Sequence, residues 1–235
     1  MTGFWAIMMV LSLAGCGSQE SGNTAMPSVP PSLENVTETK PVTEDGISVA
    51  TESSAETDKI LIAYFTWAEN AAVTSKVDAT TSASVQAPGN VAQMAAWIQQ
   101  ETGGDLFSIR VEEPYSADYD ECLDRAADEK AENARPVLVE RVLDMAGYDT
   151  VFLGYPNWWY SAPMAVFSFL GENDLSGKKV VLFCSHGTGG LASGVKDISA
   201  VLPDSEIETN VLGVYRDDIP ECQETINNWL EEIGY

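Results

Sequence analysis

The sequence predicts an α/β fold in which helices cover both faces of a parallel sheet. Three observations carry that expectation. Thr150–Gly154 and Lys179–Cys184 are apolar, β-branched runs with the composition of strands buried on both faces. A helical segment, Ala165–Leu170, lies between them with Pro163 near its start, which completes a βαβ unit. Further strand-like runs alternate with helical ones over the rest of the domain, and no repeat interrupts the alternation.

The chain begins with an uncharged apolar stretch, Met1–Gly15. It is too short for a stable spanning helix and has the character of the hydrophobic region of a secretory signal. Leu13-Ala14-Gly15-Cys16-Gly17-Ser18 resembles the bacterial lipobox, in which the Cys is lipidated and becomes the mature N-terminus. The expected location is therefore extracytoplasmic, with Cys16 anchoring the protein to the bacterial cell membrane. Residues 1–16 form the leader and lipobox in this reading. Gly17–Asp58 is rich in Ser, Thr, Pro and Glu, and Lys40 is its only base. Such a segment cannot bury enough apolar surface to offset its ordering entropy, so a disordered acidic tether is expected.

The folded domain is expected from Lys59 to Tyr235. Lys59–Phe65 is the first strand, followed by loop up to Gly89. Asn90 is placed to cap a helix over Val91–Thr102, which Gly103-Gly104 ends. Asp105–Val111 reads as the second strand and Glu113–Ala117 as a loop. Asp118–Ala134 reads as an amphipathic helix with a solvated polar face. Pro136 breaks it, and a short helix is expected over Val137–Met145. Strands three and four are the two central runs. A helix over Leu191–Leu202, a fifth strand over Glu206–Val214 and a closing helix over Ile219–Ile233 complete the chain.

Composition narrows the function. The net charge is −24, from 36 acids against 12 bases. Phosphate-backbone binding needs Lys and Arg, so nucleic acid is not an expected partner. The four Cys, at 16, 122, 184 and 222, show no metal-ligand spacing, and the chain has one His, so no metal site is expected. A Cys122–Cys222 disulfide is compatible with an oxidising compartment. No GxSxG elbow and no GxGxxG after the first strand is present, which argues against a hydrolase triad and a Rossmann dinucleotide site.

The loops after strands three and four carry the ligand chemistry, because parallel sheets collect ligands at the carboxyl ends of their strands. The first is Tyr155-Pro156-Asn157-Trp158-Trp159-Tyr160. The second is Ser185-His186-Gly187-Thr188-Gly189-Gly190. With KILIAYF at strand one and the Leu175-Ser176-Gly177-Lys178-Lys179 turn, they resemble the flavodoxin family, closest to its branch found in bacterial lipoproteins and small oxidoreductases. The resemblance covers Lys59 to about Ile233. It implies a three-layer αβα flavodoxin-like fold, a five-stranded parallel sheet of order 2-1-3-4-5, and bound FMN.

A flat tricyclic ring needs aromatic walls and edge hydrogen bonds. Trp158, Trp159 and Tyr160 are the candidate walls. Backbone groups of Pro156–Trp159 and of Ser185, His186, Gly187, Gly189 and Gly190 are the candidate edges. A typical flavodoxin has a Ser/Thr-x-Thr-Gly-Asn-Thr phosphate loop after strand one. Here Thr66-Trp67-Ala68-Glu69-Asn70 follows instead, and a carboxylate beside a phosphate is repulsive. Pro88-Gly89-Asn90-Val91 restores the Gly-Asn half of the pattern directly before the next helix. Ala68–Ala87 is therefore read as an insertion, with Thr66 and Trp67 on its near side and Gly89, Asn90 and Val91 on its far side.

Two functions are expected to compete. One is a lipid-anchored FMN redox protein that carries electrons or reduces a small acceptor such as a quinone, its acidic surface suited to a basic redox partner. The other is a surface binding module that keeps the fold and has lost FMN.

Overall fold

The computed structural model describes residues 58–72 and 85–235. The expected leader, Cys16 and the tether lie outside the described residues, as do positions 73–84 of the expected insertion. The elements are β1 (Ile60–Tyr64), α1 (Trp67–Asn70), β2 (Ala71–Ala72), α2 (Asn90–Thr102), β3 (Asp105–Ser108), β4 (Tyr115–Ser116), α3 (Tyr119–Glu132), β5 (Thr150–Pro156), α4 (Met164–Glu172), β6 (Lys179–His186), α5 (Gly194–Ala200), β7 (Glu206–Ile207), β8 (Leu212–Tyr215) and α6 (Gln223–Ile233). No helix among the described residues is long and apolar enough to cross a membrane.

The main sheet has the order β3-β1-β5-β6, with β7 and β8 both paired to β6, and every pairing is parallel. Taking β7 and β8 as two pieces of one fifth strand, this is the expected 2-1-3-4-5 order. Alternate residues face opposite layers, as a period of two requires. Leu61, Ala63, Val151, Leu153, Val180 and Leu182 pack with α4 and with Ile198 of α5. Ile62, Phe152, Val181 and Phe183 pack with α2 and α6. Both faces are thus dry, which is why these strands are near-continuous apolar runs.

The helix ends follow their sequence signals. Asp118 accepts from the backbone N–H groups of Asp120 and Glu121 and so caps α3. Asn133, at φ 50°, and Gly103, at φ 70°, close α3 and α2 in the left-handed region.

Several expectations need correction. Val137–Met145 is not a helix. Val137 and Val139 are exposed while Leu138 is buried, a period of two. The segment runs extended, bridging Val111 through Leu138, with a 3-10 turn only at Met145–Gly147. The Glu113–Ala117 loop contains β4, which pairs with β2 within the expected insertion. The fifth strand is broken. Val181 and Leu182 of β6 stand opposite the four residues Glu208–Val211, so the ladder cannot continue across them. The helix expected from Leu191 starts only at Gly194, because Gly190 and Ala192 turn the chain at φ 58° and 43°. The closing helix is interrupted at Cys222 after a short 3-10 turn. Cys122 and Cys222 are both free and buried, in cores on opposite faces of the sheet, so no disulfide joins them.

Gly154 is where the central pairing leaves no room for a side chain. It faces Phe183 across β5 and β6, and a Cβ there would lie 2.2 Å from Phe183 Cζ. Gly154→Ala is expected to destabilise the protein by about 2–3 kcal/mol or more through overpacking. A urea titration reads this as a lower midpoint at unchanged slope. Adding Phe183→Leu is expected to recover part of the loss, and additive losses would contradict the contact.

Candidate functional site

Because all strands run parallel, the loops after β1, β5, β6 and β8 and the start of α2 meet at one edge of the sheet. A cleft of about 170 Å³ opens there, lined by Trp67, Pro156, Asn157, Trp158, Trp159, Ser185, His186 and Gly187. It is also lined by Tyr119, Cys122, Leu123 and Ala126 from α3, and by Arg216 after β8.

The loop after β5 is a tight hairpin. Trp158 and Ser161 exchange both backbone hydrogen bonds, at 2.9 and 3.0 Å. The two residues between them, Trp159 and Tyr160, have φ values of 49° and 63°. Positive φ at both positions is the type I′ arrangement, usually given to Asn-Gly. Two bulky aromatics hold it here only because the surroundings fix them. The Trp159 indole N–H donates to the Leu123 carbonyl at 2.9 Å, and Lys130 donates to the Trp159 carbonyl. On the other side, the Ser193 backbone N–H donates to the Tyr160 carbonyl at 3.0 Å, and the Ser193 hydroxyl stands 2.7 Å from the same oxygen. Asp197 accepts from the hydroxyls of Ser193 and Ser161. Partial burial pushes its pKa up, but the two hydroxyls together with the charges of Lys130 and Lys196 outweigh it and hold the carboxyl below its usual range. The turn is thereby clamped between α3 and α5.

The three candidate wall residues separate. Trp158 stands edge-on to Phe65, Trp67 and Tyr115, with ring centroids 5.4, 6.2 and 5.2 Å away. It is at once a core residue and a wall of the cleft. Trp159 lines the cleft beside α3, where its indole is hydrogen-bonded to Leu123. Tyr160 is 65% exposed and leans on Gly189, outside the cleft lining. Adjacent residues point different ways, so three in a row cannot share one wall.

The loop after β6 is tied to this one. The Asn157 N–H donates to the Ser185 carbonyl at 2.8 Å, and its side-chain amide donates to the Gly190 carbonyl. Gly189 and Gly190 therefore shape the loop and do not line the cleft. His186 Nδ1 lies 2.8 Å from the Gly187 carbonyl. A carbonyl only accepts, so this contact calls for the Nδ1–H tautomer.

The near and far sides of the insertion meet the cleft differently. Thr66 is buried, and its carbonyl accepts from the Asn70 side chain at 2.9 Å. It does not line the cleft. Trp67 does, and its indole N–H donates to the Ser116 carbonyl at 3.1 Å. Glu69 is held elsewhere, by the hydroxyls of Tyr64 and Ser108. Burial first, and then Glu69, pushes the Tyr64 phenol up to about 12. The expected repulsion from Glu69 is thus absent from the cleft lining.

Gly89 occupies the cap position of α2 at φ 80°, and no side chain caps this helix among the described residues. Asn90 was expected as the cap but is the first helical residue. Its amide reaches Ser185 Oγ at 3.4 Å and the Arg216 carbonyl at 3.3 Å, joining α2 to the ends of β6 and β8. The Val91 side chain is buried with α2 in the core, so only its N–H is available to a ligand.

Sequence reasoning missed the α3 wall and Arg216. The signal for the first was present: Tyr119, Cys122, Leu123 and Ala126 fall at i, i+3, i+4 and i+7, one face of a helix. Arg216 gave no pattern beyond its place directly after a strand. Among the described residues no group of His, Cys, Asp and Glu is placed to hold a metal ion.

Fold and site define a doubly wound α/β protein with a ligand cleft at the carboxyl edge of its sheet. Residues 59–233 match the flavodoxin family model, and the chain belongs to that family. No curated protein matches the chain. A provisionally named flavoprotein of Bacteroides eggerthii DSM 20697 is 26% identical, covering 75% of this chain and 98% of its own, with a TM-score of 0.58. One of Bacteroides uniformis ATCC 8492 is 24% identical, covering 74% and 98%, with a TM-score of 0.58. A flavoprotein of Lactobacillus acidophilus NCFM, solved in complex with FMN, is 21% identical, covering 73% and 98%, with a TM-score of 0.51.

Burial pushes the Cys122 thiol in the cleft wall up to about 12. Burial likewise raises Cys184 to about 12. Neither is a nucleophile at neutral pH. These raised values mean that above the unfolded thiol pKa, near 9.0, the native state holds more protons than the unfolded one. Stability is therefore complete below about pH 9 and falls as pH rises towards about 12. Urea unfolding at a series of pH values from about 7 to 11 is expected to show that loss beginning near pH 9. A flat profile would contradict it.

Proposed function

We propose that this protein is an FMN-binding flavodoxin that transfers electrons to or from a small acceptor or a protein partner. The observation that carries the reading is the joining of the cleft to the start of α2. A helix of 13 residues begins at Asn90, with Gly89 in the cap position and no side-chain cap among the described residues, beside a cleft lined by two indoles. Uncapped first-turn N–H groups suit a phosphate, and indole faces suit a flat ring. The family membership and the FMN complex of the Lactobacillus acidophilus relative support the same ligand.

When bound, FMN would supply the redox chemistry, taking up electrons singly or as a hydride. The chain's own residues bind and orient it. Trp158, fixed by three aromatic neighbours, and Trp159, fixed by α3, set the width of the ring site. Asn157 couples the two loops, so the groups at the ring edge come from a rigid pair. The Gly89 φ of 80° turns the backbone so that the N–H groups of Asn90 and Val91 open the helix. Tyr119, Leu123 and Ala126 give the α3 side an apolar face that excludes water.

The competing reading, a binding module without FMN, draws on the loop after β1, which has Trp67-Ala68-Glu69 where hydroxyl residues and glycine are typical. A spectrum decides between them. Purified full-length protein is expected to be yellow, or to take up FMN with quenching of flavin fluorescence. Gly89→Val is expected to weaken FMN about tenfold or more and riboflavin less, because only FMN has the phosphate. Trp158→Ala is expected to weaken both alike. A wild type that binds no flavin would favour the module.

We also propose that Cys16 carries a lipid that holds the protein on the outer face of the cell membrane, with its acidic surface free to meet a basic partner. Labelled fatty acid is expected on the wild type in a bacterial host and not on Cys16→Ala. Unlabelled, freely secreted wild type would overturn this.

A further inference from the structure

The charge of the cleft is opposite in sense to that of the chain. The protein has 36 acids against 12 bases, yet among the described residues no Asp or Glu lines the cleft and one Arg does, Arg216. The Arg216 backbone is anchored on both sides. Its N–H donates to the His186 carbonyl at 2.8 Å, and its carbonyl accepts from the Asn90 side chain at 3.3 Å. Residue 216 is therefore fixed against the end of β6 and the start of α2 together.

Its side chain is not tied down in the same way. Among the described residues its ionic contact is with Asp217, Nε to Oδ1 at 3.6 Å, and the two side chains are 53% and 70% exposed. That distance is beyond a good hydrogen bond, and a pair so exposed contributes little. The guanidinium is thus available to a ligand.

Among the described residues after β1, no side chain in the cleft lining offers a free donor. The Trp67 indole N–H is used by the Ser116 carbonyl, and Glu69 is an acceptor held by Tyr64 and Ser108. Among the described residues, backbone N–H groups and Arg216 are what a ligand dianion would meet here. A guanidinium offers a planar fork of donors that fits two phosphate oxygens.

We propose that Arg216 determines which flavin the cleft accepts: its guanidinium pairs with the terminal phosphate of FMN and makes the protein prefer FMN to riboflavin. The inference rests on the flavin reading above and adds the source of the charge selectivity. Arg216 adds a charged donor to the backbone N–H groups at the start of α2.

The test is a fluorescence titration of the full-length wild type, Arg216→Gln, Arg216→Lys and Arg216→Glu with FMN and with riboflavin, at two ionic strengths. Circular dichroism first confirms that each variant is folded. Arg216→Gln is expected to lower FMN affinity about tenfold or more and to leave riboflavin unchanged. Lys is expected to recover part of the FMN loss, and Glu to deepen it. Salt supplies a second readout. Without the guanidinium, the remaining long-range term on the dianion is repulsion from the net charge of −24, so FMN affinity for Arg216→Gln is expected to rise with added salt. In the wild type the screened Arg216–phosphate pair opposes that rise. Equal losses for both flavins, or an unchanged FMN affinity, would overturn the role of Arg216 while leaving the flavin site standing. A wild type that binds neither flavin would overturn the site and this role together.

Discussion

The parallel pairing of β1, β5 and β6 is the constraint on which the rest depends. Tyr64 stands level with Gly154, and Gly154 with Phe183, so the three strands finish at one edge. The loops that follow are delivered side by side without any long-range search of their own. The pairing holds because both faces are apolar and each is covered by helices, so a register slip would move every side chain into the opposite core. Gly154 is the point where the pairing is tightest, since the Phe183 ring occupies the space a side chain would need.

At that edge the site is made rigid by crossed ties. Asn157 binds the loop after β5 to the loop after β6. Asn90 binds the start of α2 to Ser185 and to Arg216. Lys130 and the Leu123 carbonyl hold the Trp159–Tyr160 turn from α3, and Ser193 holds it from α5. Helices α2, α3 and α5 and the end of β8, distant in sequence, thus fix the two loops of one cleft. Two aromatic residues at positive φ sit in the turn that carries Trp159, and Ala192 of the loop after β6 has positive φ as well.

Much of the fold was legible in the sequence, because buried parallel strands announce themselves as short apolar runs between helical periods. The central strands, α2, α3 and α4 fall close to where the pattern puts them. The failures share one cause: the pattern was read with the wrong period or without its partner. Val137–Val139 alternates exposed, buried, exposed about the Leu138 bridge, but Pro136 suggested a second helix. The break between β7 and β8 exists because β6 supplies two residues where the other strand has four, which a single strand's sequence cannot display.

The sequence by itself determined the family, the strand order that follows from it, and the two loops after β5 and β6. Those depend on local composition and on motifs a few residues long. Only the tertiary structure decided that Trp158 is also a core residue, that Tyr160 turns away, and that Glu69 is held apart from the cleft. It alone brought in the α3 face and Arg216, and it set Cys122 and Cys222 on opposite sides of the sheet. Each of these is a matter of distance between segments far apart in the chain. Such distances are fixed by the packing of layers, and no stretch of sequence carries both ends of the contact.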